Sequence, residues 1–139
     1  MSLVLPDTSI WIDFFRGNKV AAPLNQLIEA GRIVTNDLIL AELIPSIDHK
    51  SEHHLKELMY SIERVDVTIE WGRIIEMQRA CLANGYNNVG IPDLIIVQNA
   101  IDHQLSVFEN DRHFRPMPAL FGLTLFRDSG TSNPSPVSR

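Results

Sequence analysis

Leu3-Val4-Leu5-Pro6-Asp7-Thr8-Ser9 is the stretch on which the reading of the whole chain turns. Three apolar residues in a row read as a short buried strand. Pro6 has no backbone N–H to give to a ladder, so it belongs at the strand's end. Asp7 follows at once, and Ile10-Trp11-Ile12-Asp13-Phe14-Phe15 begins an amphipathic run two residues later. The unit is strand, turn, helix, with a carboxylate at the strand's C-terminal end, the edge at which open parallel sheets bind ligands. By itself Asp7 reads as a helix cap, a role that Thr8 or Ser9 fills equally well. It becomes a functional residue only if other carboxylates reach the same edge.

Outward from this unit, strands and helices alternate. Residues 9–16 are expected to be helical, with Gly17 as the stop. A second helix is expected over 20–30 and a short strand over 32–35. Asn36-Asp37 caps a helix over 38–44 that Pro45 is expected to close. Glu42 interrupts that nearly continuous apolar run and needs water, a partner or a cleft, because an unpaired buried charge is costly. A helix over 51–62 carries a polar face. His49 and His53 have the i, i+4 spacing of a zinc pair, but no third ligand follows the pattern, and a solvated face is the better account.

Further on, a strand is expected over 64–67, and Thr68 is expected to cap a long helix. Its buried stripe is read as Ile74, Ile75, Met77, Cys81 and Leu82, with Trp71 at its start. Residues 84–90 form a loop rich in Asn and Gly. Pro92 suits the first turn of the next helix, and Asp93 lies near its positive end. A strand over 105–108 runs directly into Glu109-Asn110-Asp111, and 123–126 reads as the last strand.

This alternation implies an α/β domain of three layers, α/β/α, around a mostly parallel sheet of about five strands. Right-handed crossovers place the strand C-termini on one edge, which carries Asp7 and Asp111. Glu42 and Asp93 are expected to reach the same edge from their helices. Residues 1–127 form the domain, and 128–139 read as a mobile tail.

Composition narrows the function classes. A chain of 139 residues suits a single domain. The formal charge of −5 argues against non-specific nucleic-acid binding through a broad basic face, but permits it if the acids are gathered at a metal. Cys81 is the sole cysteine, so there is no internal disulfide, and a small core residue is its expected role. No apolar run approaches a membrane span and the first residues lack a signal peptide's positive region, so a soluble cytoplasmic protein is expected.

If the carboxylates converge, they repel one another and raise their own pKa values, so the cluster needs a cation. Oxygen-only ligands select Mg2+ or Mn2+ over zinc. Metal-activated water attacking a phosphodiester is the chemistry that such a site supports.

Four motifs carry a resemblance: Asp7-Thr8-Ser9-Ile10-Trp11-Ile12-Asp13, Ala41-Glu42-Leu43, Ile91-Pro92-Asp93-Leu94-Ile95-Ile96 and Asn110-Asp111-Arg112-His113-Phe114. Each is weak alone. Together, in this order, they resemble the PIN-domain ribonucleases, specifically toxins of the VapC type, over roughly residues 3–127. The resemblance implies a Mg2+- or Mn2+-dependent endoribonuclease with Asp7, Glu42, Asp93 and Asp111 as its acidic, metal-binding site. It also implies an RNA substrate, a homodimer and a cognate antitoxin of the VapB type that blocks the site. Glu109 departs from the family pattern, which often has Thr or Ser there, and either adds a carboxylate or points away. A hydroxyl beside the first acid can assist the site in this family, and Thr8 and Ser9 both fit that place.

Arg16, Lys19, Arg112 and Arg115 stand near the motifs and are candidates to offset repulsion of the RNA backbone. A partner segment is expected to lie over Ile10, Trp11, Phe14 and Phe15, unless these residues are wholly buried. Two other readings compete. A metal-dependent phosphatase or phosphoacceptor domain would show paired acids after the first strand and a lysine after the last, and neither is present. A non-catalytic PIN domain that binds RNA or protein has no need of all four acids.

Overall fold

The computed structural model describes residues 3–127. Along the chain the elements are β1 (Val4–Pro6), α1 (Thr8–Phe15), α2 (Pro23–Glu29), β2 (Val34–Thr35), α3 (Asp37–His49), α4 (His53–Ser61), β3 (Glu63–Arg64), α5 (Trp71–Ala83), α6 (Ile91–Asp102), β4 (Ser106–Phe108), α7 (Met117–Phe121) and β5 (Thr124–Leu125). Short 3-10 turns cover Lys19–Ala21 and Arg112–Phe114. The expected tail lies outside the described residues.

Every strand pair is parallel. β1 pairs with β4, Val4 opposite Ser106 and Pro6 opposite Phe108, and β4 pairs with β5. β2 and β3 form a separate pair, joined to β1 by one bridge between Val4 and Ile33. The expected sheet of about five strands is therefore a three-stranded sheet, β1-β4-β5, with a two-stranded pair hung on its edge. Pro6 supplies the reason. Successive residues of a strand point their backbone groups to opposite sides. The Val4 amide faces β2 and donates to the Arg32 carbonyl at 2.8 Å, while the Asp7 amide faces β4 and donates to Phe108 at 2.9 Å. The next donor toward β2 belongs to position 6, and proline has none.

The core runs through both sheets and the helices on them. Val4, Leu5 and Val107 are fully buried, and residues 94–100 of α6 are buried without interruption. A helix with no wet side along seven residues is a central one. Each large apolar side chain that it buries contributes about 1.5–3 kcal/mol relative to exposure.

Several expectations are corrected. α3 continues through Pro45 to His49. An interior proline costs about 3 kcal/mol, but Leu43, Ile44 and Ile47 are buried on both sides of it, and together their burial outweighs that cost. His49 ends α3 and His53 begins α4, with Ser51 at φ 57° between them, so the two imidazoles share no helix face.

Only Glu63 and Arg64 pair as strand before the long helix. Beyond Val65, whose amide still donates to Thr35, side chains of α6 take the place of a neighbouring strand. Asn99 donates to the Asp66 carbonyl at 2.8 Å, and Gln98 donates to the Thr68 carbonyl and accepts from the Glu70 amide. α5 starts at Trp71 with Glu70 at its cap, not Thr68. Its buried stripe is narrower than expected: Ile74, Met77 and Cys81 are inside, while Trp71, Ile75 and Leu82 are exposed. α5 packs against α6 and α7.

Candidate active site

Asp7 is placed by the strand and fixed by the helix. It leaves β1 in an extended conformation, and its Oδ1 accepts the Ile10 amide at 3.1 Å and the Ser9 hydroxyl at 2.8 Å. Only 4% of the residue is exposed. Burial raises its pKa to about 7 against the help of those two hydrogen bonds, and the charges of Asp111 and Glu109 push it further in the same direction.

Asp93 occupies the third position of α6, where its Oδ2 accepts the Gly90 amide at 3.3 Å and so satisfies the backbone N–H at the helix's N-cap. Burial raises this carboxyl as well. The Gly90 bond and His113 oppose the shift, while Asp111 and Glu42 add to it. Asp111 caps the turn Arg112–Phe114, accepting the His113 amide at 2.9 Å. Glu42 lies on the exposed side of α3 and accepts the Thr8 hydroxyl at 2.6 Å.

The four expected acids are thus within one another's electrostatic reach. Asp111 acts on both Asp7 and Asp93, and Glu42 acts on Asp93. Two raised carboxyls that share Asp111 as a charged neighbour are the mark of a site that is electrostatically incomplete. The donors are all oxygens, and that set fits a hard divalent cation. The carboxylates are not drawn together as a finished cage: among the described residues no three His, Cys, Asp or Glu side chains are grouped as a metal site.

The hydroxyls divide their work, Ser9 holding Asp7 and Thr8 holding Glu42. Glu109 turns back into its own loop and accepts the Asp111 amide at 2.7 Å, while its charge still reaches Asp7. Two participants were missed at the level of sequence. The Nδ1 of His113 stands 3.2 Å from Asp111 and 3.7 Å from Asp93, between the two carboxylates. Asn110 donates to Asp13 at 3.2 Å and ties the β4 loop to α1. Both lie inside the quoted motifs, but spacing alone does not assign them partners. Of the basic candidates, Arg112 and Arg115 line a cavity next to His113, Arg16 lines a groove beside Glu42, and Lys19 lies in a third hollow with Phe108.

The model of the PIN domain family matches residues 4–120. The chain belongs to the PIN-domain family. Solved structures share this PIN fold at low sequence identity. VapBC2 from Rickettsia felis, bound to a DNA fragment from their promoter, aligns with TM-score 0.69 and 17% identity over 89% of this chain and 97% of that one. FitAcB from Neisseria gonorrhoeae aligns with TM-score 0.70 and 17% identity over 90% and 97%. A toxin–antitoxin complex from Klebsiella pneumoniae aligns with TM-score 0.59 and 22% identity over 83% and 92%. No curated protein matches the sequence. Among the described residues of this PIN domain, no helix is long and apolar enough to cross a membrane.

Proposed function

We propose that this PIN domain is a VapC-type endoribonuclease, the toxin of a toxin–antitoxin pair that restrains growth or translation by hydrolysing RNA phosphodiester bonds in the cytoplasm. The observation that carries the reading is that Asp7 and Asp111 follow β1 and β4, with Asp93 of α6 and Glu42 of α3 within electrostatic reach, and that Asp7 and Asp93 are held up in pKa by burial and by their neighbours. Carboxylates gathered in this way favour a cation and, through it, a phosphate.

Asp7, Asp93 and Asp111, supported by Glu42, would hold Mg2+ or Mn2+; such an ion, when bound, polarises a phosphoryl oxygen and makes hydroxide available from water near neutral pH. The chain's own residues do the rest. Ser9 and the Ile10 amide fix one oxygen of Asp7, and Thr8 fixes one oxygen of Glu42, so neither carboxylate has to be oriented when substrate arrives. The His113 ring, beside Asp93 and Asp111, is placed to exchange a proton at Nδ1. Arg112 and Arg115 offset the repulsion between an acidic protein and an RNA backbone. Purified protein should cut RNA with Mg2+ or Mn2+, stop in excess EDTA and recover with Mn2+. Undiminished cleavage after verified removal of metal would refute the metal-dependent reading.

The structural similarity to VapBC2 and to a toxin–antitoxin complex supports an antitoxin partner. Its expected seat shifts from the sequence-based one. Ile10 and Trp11 are core residues with no exposure and cannot receive it. Ile12 and Phe15 of α1 and Leu43 and Ile47 of α3 line a groove whose lining also includes Arg16 and Glu42. An apolar anchor followed by an Arg directed at Glu42 suits that lining. A homodimer is supported by the exposed Trp71, Ile75 and Leu82 on α5. Ile75→Glu should then shift the sedimenting species from dimer to monomer, and an unchanged species would remove α5 from the interface.

A further inference from the structure

The chain that leads from α5 into α6 builds a second hollow beside the acids. Residues 85–89, with Arg112, His113, Arg115 and Pro116 opposite, line an open hollow of about 420 Å3, and His113 is the neighbour of Asp93 and Asp111. That volume lies within the range that receives a small organic group.

The loop that forms one wall is held at both ends. The Tyr86 amide donates to Cys81 at 2.8 Å, the Gln78 side chain donates to the Val89 carbonyl at 3.2 Å, and Val89 is buried. Gly85 makes the turn at φ 84°, a conformation that a side chain would strain. Between these anchors the chain presents Tyr86, Asn87 and Asn88. Among the described residues their side chains make no hydrogen bond, and neither do those of Arg112 and Arg115 on the facing wall, which also enter no ion pair. A loop anchored at both ends with unspent amides, an aromatic ring that is 41% exposed and two guanidiniums with no partner among the described residues line one hollow.

The ligand that answers all of these features has a flat face, a hydrogen-bonding edge and a negative charge. A basic peptide has the wrong sign for Arg112 and Arg115. A nucleotide of single-stranded RNA has all three properties: unpaired bases stack on aromatic rings and are read along their edges by amides. We propose that this cavity seats the nucleotide adjoining the cleaved bond, with Asn87 and Asn88 reading its base, Tyr86 packing on it, and Arg115 and Arg112 holding its phosphate. The proposal rests on the RNA-cleavage reading and adds the source of sequence preference to it.

The test uses the double variant Asn87→Ala/Asn88→Ala, Arg115→Ala, and Glu57→Gln on the remote α4 as a control. A randomised RNA pool is cut and the ends sequenced, and KM and kcat are measured on one preferred oligonucleotide. Binding of that oligonucleotide is followed by fluorescence anisotropy in an Asp93→Asn background. The double variant should flatten the base preference at one position beside the cut and weaken binding about tenfold, mainly in KM. Arg115→Ala should weaken all sequences alike, and the control should behave as wild type. Unchanged preference and KM in both variants would overturn the proposal. If wild-type protein cuts no RNA, the cleavage reading fails separately. The cavity is then judged on anisotropy alone with a labelled single-stranded RNA of randomised sequence, and RNA binding that is absent, or undiminished by both variants, overturns it. Loss of binding to a co-expressed antitoxin with RNA preference intact also overturns it.

Discussion

Asp7 and Asn36 occupy equivalent places and do opposite things. Each follows a short parallel strand in extended conformation and begins a helix, and each accepts the backbone amide three residues on, at 3.1 Å from Ile10 and 2.9 Å from Ile39. Each is buried. Asn36 turns its amide nitrogen to a neutral partner: its Nδ2 donates to Asn99 at 2.8 Å, and Asn99 donates to the Asp66 carbonyl. The result is a neutral clasp between α3, α6 and the segment before α5. Asp7 performs the same capping with a charge, in a place where burial, Asp111 and Glu109 all oppose that charge. An amide would cap α1 as well. The carboxylate is there at a cost to the fold, and a cost retained at the end of a central strand is the signature of a working group.

That contrast can be broken in three places. The largest effect is expected for Asp7→Asn. The amide keeps the cap on Ile10 and an acceptor for Ser9, so the chain should fold, while RNA cleavage falls by about 100-fold or more. A folded variant that cleaves at the wild-type rate would take Asp7 out of the site.

The reverse exchange, Asn36→Asp, removes the donor to Asn99 and sets a carboxylate against its oxygen. We expect a loss of about 3 kcal/mol in urea denaturation at pH 8. The loss should be smaller at pH 5, where the new acid can take a proton. An Asn36→Asp protein as stable as wild type at pH 8 would show that the two caps are not under different demands.

The third effect is one of pH, measured without metal. The folded state holds the Asp7 proton up to about pH 7, while the unfolded chain releases it near 3.8. Below 3.8 both states are protonated and there is no penalty. As pH rises from 3.8 to about 7 the unfolded state gains relative stability, and above 7 the full penalty, on the order of a few kcal/mol, is present. Thermal melts should therefore show Asp7→Asn level with wild type near pH 4 and above it at pH 8. An equal gap at both pH values would mean that Asp7 is not the group responsible.

How much of this could be read from the chain depended on whether the information was local. Leu3-Val4-Leu5-Pro6-Asp7 contains its strand, its stop and its acid within five residues, and Glu42 was conspicuous as one charge in an apolar run. Asn36 was legible as a cap. Its bond to Asn99 joins residues 63 apart and leaves no local trace. Pro45 misled because propensity is a local quantity, and tertiary burial of Leu43, Ile44 and Ile47 overrode it. Ile75 and Leu82 carry a helical period that does not say how many faces of α5 have neighbours. Residues 65–69 were read as strand in part because the chain is extended there; that its partners are the Gln98 and Asn99 side chains rather than another strand belongs to the packed molecule. His113 was visible as a motif residue, but a role between Asp93 and Asp111 required both loops in place.

The donor missing at Pro6 has a consequence beyond the layout of the sheet. A ladder transmits force in proportion to its rungs, and between β1 and β2 there is one bridge. The molecule is thus perforated along that line. On one side β1 and β4 carry Asp7 and Asp111; on the other, α3 carries Glu42 as it leaves β2. The Thr8–Glu42 hydrogen bond spans the perforation. Motion there changes the distance from Glu42 to the other acids without unpairing a strand. We expect the gap between Glu42 and its partners, with the Thr8 hydrogen bond opposing its change, to yield more readily than the gap between Asp7 and Asp111. Amide exchange that is faster at Val34 and Thr35 than at Val107 would record this softness, and equal protection would deny it.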